Sequence, residues 1–177
     1  MRSLRKRIEG NRSITVSTRH GRNTLVFIIS VVSAVALDQV LKAVVVGVIS
    51  PGRTVTLVPH LLWLTYSTNT GAAFGLFQGS GQVIFFSSLI LVVMMLAWFF
   101  WSKERLGALA FVGLGLIIGG AVGNLADRLF RGKVVDFIDL GWWPIFNVAD
   151  VAILVGAIIV LIGYSREFWR EGDPQKP

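Results

Sequence analysis

Cysteine is absent from the 177-residue chain, and histidine occurs only twice, at His20 and His60. Without cysteine the chain can form no disulfide, no thiolate metal site and no cysteine nucleophile. The two histidines lie far apart in the sequence and form no HExxH-type pair, so a zinc site would be short of ligands. We therefore expect neither a metal nor another cofactor.

Charged residues are also scarce, at 15% of the chain against 54% hydrophobic residues. Soluble domains contain about a quarter charged residues, so this composition predicts an integral membrane protein. The net charge of +7 could suggest a nucleic-acid partner, but seven of the 17 basic residues fall within residues 1–22, next to a long apolar run. That placement is typical of the cytoplasmic flank of a membrane helix, and we expect no nucleic-acid binding.

Four apolar segments predict a mainly α-helical fold with four transmembrane helices. About 20 residues are needed to cross the hydrocarbon core, and the segments at 24–49, 82–101, 106–126 and 147–165 fit this length. The first follows a basic region as a signal peptide would, but its apolar run is too long and lacks a clear cleavage site. We therefore assign one membrane domain to residues 23–166.

The positions of lysine and arginine predict that both termini are cytoplasmic. With the N-terminus inside, 12 of the basic residues are cytoplasmic and four lie outside. Two extracytoplasmic segments, 50–81 and 127–146, then border the same leaflet, and the β-rich stretches of the first predict a small sheet or hairpin. We expect residues 1–22 to form a disordered cytoplasmic arm and 167–177 a cytoplasmic tail.

Polar residues interrupt the first and third helices. Asp38 and Lys42 lie on one helix face at i, i+4, a spacing that allows a structural ion pair. The alternative is that they line or brace a polar site, because charges at membrane depth face a protein interior or a wet cavity. Gly115, Gly119 and Gly123 form a small-residue face that predicts close helix packing. A neighbouring face becomes polar towards the outer surface through Gly120, Asn124 and Arg128, with Asp127 beside it.

Four of the ten acidic residues crowd into residues 123–150: Asp127, Asp136, Asp139 and Asp150. Asn147 and Asp150 have the spacing of an N-cap and capping box at the start of the fourth helix. Asp136 and Asp139 can be solvated loop acids that pair with Arg131 and Lys133.

The alternative is a pair of carboxyl groups brought together between the third and fourth helices. Two carboxylates in one site cannot both ionise easily, so one accepts a proton from water while the other donates a proton. That is aspartic-protease chemistry, which needs neither metal nor cysteine.

Five sequence blocks resemble those of the bacterial lipoprotein signal peptidases, type II, over about residues 24–165. The blocks are DQVLK (38–42), NTGAAF (69–74), GGAVGNLADR (119–128), VVDFID (134–139) and FNVAD (146–150). The resemblance implies an aspartic endopeptidase of the bacterial cytoplasmic membrane. It implies prolipoprotein substrates whose signal peptide is removed just before a diacylglyceryl-modified cysteine, with the active site at the extracytoplasmic leaflet.

The resemblance also implies roles for individual residues. Asp136 and Asp150 match the catalytic aspartates. Five further residues match positions that support the aspartates or contact substrate: Asn69, Gly120, Asn124, Arg128 and Asn147. Asp38, Lys42 and Asp127 match structural or positioning residues, whereas Asp139 lies outside the motif. We expect a monomer whose partners are lipid-modified prolipoproteins and membrane lipid.

Other functions remain open on the residues alone. A proton-coupled transporter also uses intramembrane acids, but it would spread them across the bilayer instead of gathering them at one leaflet. An assembly subunit would use Asp38–Lys42 and the glycine face for helix pairing, and would tolerate the loss of Asp136 and Asp150. A serine–lysine protease using Lys42 lacks a well-placed serine.

Overall fold

The computed structural model describes the backbone of residues 2–70, 81–102 and 107–171, and side chains within 21–165 of these ranges except at 81, 84 and 102. The elements are α1 (Arg2–Val48), β1 (Thr54–Val58), β2 (Leu62–Asn69), α2 (Gly81–Ser102), α3 (Ala108–Arg131), β3 (Val134–Asp139) and α4 (Val148–Glu171). Most of the NTGAAF block, from residue 71, and the tail from residue 172 lie outside the described residues.

The expectation of a mainly helical fold with a small antiparallel sheet is confirmed. Within the described ranges, three helical stretches are long and apolar enough to cross a membrane: Gly21–Val48, Ala108–Arg131 and Val148–Ser165. In α2 the apolar stretch, Phe85–Trp101, is shorter. The count of four spans and the cytoplasmic location of both termini stay predictions.

Three helix boundaries differ from those expected. The backbone of α1 is helical from Arg2, where we expected a disordered arm. This extension is possible because the segment contains no proline and several good helix formers, which can lengthen an existing helix. Helix α3 runs five residues past the expected end at 126, because its polar last turn still suits a helix. It stops at Gly132, whose φ of 71° gives the left-handed conformation of a helix terminus. Helix α4 continues to Glu171.

Helix α3 lies at the centre of the helical assembly and contacts the other three helices. In its apolar stretch 56% of residues are buried, against 17% in α1 and 11% in α4. Glycine permits this central position: a Cβ at Gly119 would lie 2.8 Å from Val31 O of α1, and one at Gly113 would lie 2.6 Å from Gly156 O of α4. The predicted small-residue face therefore packs against α1, and a second glycine face packs against α4.

Aromatic rings join α1, α2 and α3 in a buried cluster. Phe99 stacks on Phe27 at 4.1 Å between ring centroids, and it meets Phe111 edge to face at 5.3 Å. All three side chains are buried, together with Leu114 and Ile118. Because each ring comes from a different helix, this cluster fixes the three helices against one another.

The sheet has the order β1-β2-β3, and both pairs are antiparallel. Strands β1 and β2 form the hairpin expected in 50–81, but β3 was not expected from the sequence. Its pairing sets Asp136 opposite Ser67 and Val134 opposite Asn69. Val135 and Phe137 of β3 are buried in a cluster with Val45 and Ile49, so β3 is packed on the C-terminal end of α1.

Candidate active site

Asp136 and Asp150 meet at Asn147, the residue just before α4. Asn147 Nδ2 donates to Asp136 Oδ1 over 2.7 Å, and the Asn147 backbone N–H donates to Asp150 Oδ2 over 3.2 Å. Asp136 comes from β3, whereas Asp150 comes from the first turn of α4. One asparagine thus joins two carboxyl groups from separate elements.

Asn147 and Asp150 also cap α4. The Asp150 backbone N–H donates to Asn147 Oδ1 over 3.1 Å, which completes a reciprocal pair with the bond from the Asn147 N–H. Such a capping box satisfies N–H groups that have no partner inside the helix. The two interpretations of Asp150 are therefore compatible: Oδ2 caps the helix while Oδ1 faces the neighbouring α3.

Asn124 of α3 holds the other oxygen of Asp150. Its Nδ2 donates to Asp150 Oδ1 over 2.9 Å. Its Oδ1 accepts from Asn147 Nδ2 over 3.0 Å and from Lys42 Nζ over 2.9 Å. Asn124 therefore connects the pair of aspartates to the buried lysine of α1.

Lys42 forms a fully buried ion cluster with two aspartates. Its Nζ lies 2.8 Å from Asp38 Oδ2 and 2.9 Å from Asp127 Oδ2, and none of the three side chains is exposed. Asp38 Oδ1 also accepts the backbone N–H of Ala149, in the first turn of α4, over 3.0 Å. The expected Asp38–Lys42 pair is therefore present, and it fastens α4 and α3 to α1.

Asp127 links the end of α3 to β3. Its Oδ2 accepts the Val135 N–H over 3.1 Å, and its Oδ1 accepts from Gln39 Nε2 over 3.2 Å and from Arg131. Gln39 also donates to Gly123 O and accepts from Arg131. Sequence reasoning missed Gln39; its position next to Asp38 in the DQVLK block was the one available signal.

Asp136 is only 5% exposed and stands between the buried residues Val135 and Phe137. Burial raises the pKa of Asp136 from 3.8 to about 6, because the charged form loses its hydration, and the negative charge of Asp150 adds to the rise. Hydrogen bonds from Asn147 and Asn69 act in the opposite direction. Asp136 can therefore hold a proton near neutral pH.

A groove of about 700 Å³ lies between α2 and the end of α3. Its lining is mostly apolar around one charged group: Thr70, Gln82, Phe85, Phe86, Arg128, Leu129 and Gly132. Arg128 donates to Asn124 O over 3.3 Å, so the groove adjoins the asparagine that holds Asp150.

Gly120 lies where α4 crosses α3, one turn before Asn124. A Cβ at this position would stand 2.4 Å from Ala149 O, so only glycine permits the close approach of α4. Gly120 thereby sets the position of the helix turn that carries Asp150.

Asp139 differs from expectation, because it is not a loop acid paired with Arg131 and Lys133. It lies in β3, accepts from Thr65 Oγ1 over 2.8 Å and accepts the Gly141 N–H over 2.8 Å. It lies three positions after Asp136, so the two side chains point to opposite faces of the strand. Asp139 therefore ties β3 to β2, away from the pair. Across the described ranges, no three His, Asp or Glu side chains are grouped closely enough to hold a metal ion.

Comparisons with known proteins show the family of the chain. The family model for "Signal peptidase (SPase) II" matches residues 30–166. The lipoprotein signal peptidase of Syntrophomonas wolfei is 48% identical over 128 residues, which cover 72% of this chain and 85% of that protein. The lipoprotein signal peptidase of Pelotomaculum thermopropionicum is 42% identical over 135 residues, which cover 76% of this chain and 88% of that protein. The chain belongs to the signal peptidase II family.

Solved structures support the same assignment. A bacterial membrane enzyme solved at 2.3 Å superposes with a TM-score of 0.75 and 30% identity, covering 85% of this chain and 93% of the other. A second bacterial membrane enzyme, solved at 1.9 Å, superposes with a TM-score of 0.69 and 32% identity, covering 77% of this chain and 90% of the other. As a signal peptidase II the protein is an aspartic protease, and its apolar helices make it a multi-pass protein of the bacterial inner membrane.

Proposed function

We propose that this signal peptidase II cleaves diacylglyceryl-modified prolipoproteins just before the lipidated cysteine, with Asp136 and Asp150 as the catalytic pair. The proposal rests on the hydrogen bonds of Asn147 to both aspartates. Asn147 Nδ2 lies 2.7 Å from Asp136 Oδ1, and the Asn147 backbone nitrogen lies 3.2 Å from Asp150 Oδ2. In this arrangement the two carboxyl groups act on one substrate bond from separate elements.

The chemistry needs one ionised and one protonated carboxyl group. The ionised group takes a proton from water as the water oxygen bonds to the scissile carbonyl carbon, and the other donates its proton to the carbonyl oxygen. The resulting diol then collapses: one hydroxyl proton returns to the second carboxyl group, the C–N bond breaks, and the first carboxyl group protonates the departing nitrogen. Both aspartates regain their starting states.

The groove beside Arg128 fits a substrate that carries apolar and polar parts. Phe85, Phe86 and Leu129 offer an apolar wall, and Arg128 offers one cation to a carbonyl or headgroup oxygen. A lipidated cysteine is held at the headgroup level by its acyl chains. A site at the membrane boundary therefore receives the peptide bond next to that cysteine.

The topology belongs to the same proposal. We place four spans in the membrane domain at 23–166, both termini in the cytoplasm and the active site at the extracytoplasmic leaflet. The N-terminal arm and the C-terminal tail are then cytoplasmic, in keeping with the excess of Lys and Arg near the ends of the chain. We propose that the protein acts as a monomer.

The test is cleavage by purified protein in detergent, followed by mass spectrometry of the products. The substrates are a diacylglyceryl-modified prolipoprotein and the same chain without lipid, and the variant is Asp150→Asn, which must melt like the wild type. We expect cleavage just before the lipidated cysteine, little cleavage of the unmodified chain and none by the variant. A wild type that leaves the lipidated chain intact but conducts protons in proteoliposomes would instead favour the transporter.

A further inference from the structure

The buried ammonium group of Lys42 can only donate hydrogen bonds. Its three N–H groups have three acceptors, on Asp38 at 2.8 Å, Asp127 at 2.9 Å and Asn124 at 2.9 Å. Because an ammonium group has no acceptor, the atom of Asn124 that faces Lys42 has to be the oxygen. Lys42 therefore fixes the orientation of the Asn124 amide.

Asn147 enforces the same orientation. Its Nδ2 also donates to Asn124 Oδ1, over 3.0 Å. If the Asn124 amide were flipped, its NH₂ group would face two donors and its oxygen would face the carboxyl group of Asp150. The Asn124 NH₂ group is thus directed at Asp150 Oδ1, 2.9 Å away.

Both oxygens of Asp150 consequently accept hydrogen bonds from fixed donors. Oδ1 accepts from the Asn124 amide, and Oδ2 accepts from the Asn147 backbone N–H. Asp150 also lies in the first turn of α4, where the helix dipole favours a negative charge. A proton on either oxygen would weaken the hydrogen bond that this oxygen accepts. These contacts therefore favour the ionised form of Asp150.

Asp136 has a different surrounding. It is 5% exposed and lies in β3, away from any helix N-terminus that would favour its charged form. Its hydrogen-bond donors, Asn147 and Asn69, are neutral, as are those of Asp150. The charged groups around the pair are Lys42 and Asp38 from α1, and Asp127 and Arg128 from α3. The charge of Lys42 acts through space on both carboxyl groups and does not by itself distinguish them. Asp150 differs from Asp136 in lying in the first turn of α4 and in accepting the Asn124 amide, whose orientation Lys42 fixes.

We propose that Lys42 is a positioning residue that, through the fixed amide of Asn124, keeps Asp150 as the carboxylate and leaves the resting proton of the pair on Asp136. This rests on the proposed function in that the pair is catalytic. Asp150 then takes the proton from water, and Asp136 gives its proton to the carbonyl oxygen. In the collapse of the diol Asp136 regains a hydroxyl proton, and Asp150 passes its proton to the departing nitrogen.

The test is infrared spectroscopy of the purified protein, using the C=O band of a protonated carboxyl group. Spectra are taken at about pH 5, below the pKa of about 6 of Asp136. We expect Asp136→Asn to lose the band of a buried protonated carboxyl group and Asp150→Asn to retain it. Loss of the band in Asp150→Asn with retention in Asp136→Asn would overturn the assignment.

The Lys42–Asn124 connection needs its own variant. Lys42→Met leaves Asp38 and Asp127 buried without their cation and is expected to unfold, so Asn124→Ala is used, which keeps both ion pairs of Lys42. We expect Asn124→Ala/Asp136→Asn to regain a protonated-carboxyl band that Asp136→Asn alone lacks, because Asp150 then holds the proton. Absence of the band in the double variant would refute the role of the connection.

These results are separate from the test of the proposed function. If the band belongs to Asp136 but both single variants cleave normally, the proton assignment stands and the catalytic pair is wrong. If both variants are inactive but the band belongs to Asp150, the catalytic pair stands and this inference is wrong.

Discussion

Replacing Gly120 with alanine tests whether the crossing of α3 and α4 sets the geometry of the active site. The new Cβ would stand 2.4 Å from Ala149 O and 2.9 Å from Ile153 Cγ1. Side-chain Cβ atoms essentially never approach another heavy atom closer than 3.0 Å, so the helices have to separate by at least 0.6 Å, the difference between 3.0 and 2.4 Å. A backbone oxygen cannot rotate away as a flexible side chain can.

The displaced part of α4 is its first turn, which carries Asp150 and follows Asn147. Overpacking of this kind costs about 1–3 kcal/mol of stability. A misplacement of about 1 Å at a catalytic group can cost about 10²-fold in rate. We therefore expect Gly120→Ala to fold with a lowered melting temperature and to lose about 10- to 100-fold in kcat, with a smaller change in KM.

The assay is cleavage of a diacylglyceryl-modified prolipoprotein, with melting measured on the same preparation. Gly47→Ala is the matched control, because it makes the same substitution in a helix where a Cβ meets nothing within 4 Å. That variant should be as stable as the wild type, or more stable by up to about 1 kcal/mol, and fully active. If Gly120→Ala cleaved within twofold of the Gly47→Ala rate, this helix crossing would not be what positions the pair.

Three further predictions concern stability, measured by thermal unfolding in detergent. The pKa of Asp136 rises from 3.8 to about 6 on folding, so the folded protein holds this proton to higher pH than the unfolded chain does. The protein should therefore lose up to about 3 kcal/mol of stability as pH rises from about 4 to about 6. Asp136→Asn should remove this pH dependence, and an unchanged dependence would contradict the burial of Asp136. Asp127→Ala should cost about 3–5 kcal/mol, because the buried Lys42 loses one of its two carboxylate partners. Arg131→Gln removes the partner of Asp127 whose side chain is 34% exposed, and should cost about 1 kcal/mol or less. Equal losses would contradict the account of the ion cluster. Phe99→Ala should cost about 3–5 kcal/mol and Phe130→Ala, 81% exposed, far less, and the reverse order would contradict the assigned core.

The helices could be predicted because the signal is local. A long apolar run such as 106–126 predicts a membrane helix by its length alone, and the glycines within it predict a close helix contact. The hairpin of β1 and β2 is local as well, since its strands are separated by three residues, 59–61.

The third strand could not be predicted because its partner is remote in sequence. Strand β3 pairs with β2 across the whole of α2 and α3. The local sequence VVDFID is apolar with two acids, and nothing in it identifies β2 as the partner. The same remoteness hid the contact of Asp139 with Thr65 and the bonds of Gln39 to α3.

The aspartates illustrate how local and remote signals combine. The spacing of Asn147 and Asp150 predicted a helix cap, and the structure contains that cap. The sequence alone left open whether the same carboxyl group also meets Asp136. Asn147 joins the two residues through its backbone and side chain, an arrangement that depends on β3 reaching the start of α4.

The most direct test of the catalytic pair compares Asp136→Asn with Asp139→Asn. Both substitutions replace a carboxyl group of β3 with an amide, three positions apart, but only Asp136 contacts Asn147. With lipidated substrate, and after both variants are shown to be folded by a cooperative melting transition, we predict that Asp136→Asn loses at least about 10²- to 10⁴-fold in kcat. Asp139→Asn should stay within about threefold of the wild type. Near-normal cleavage by Asp136→Asn would contradict the account.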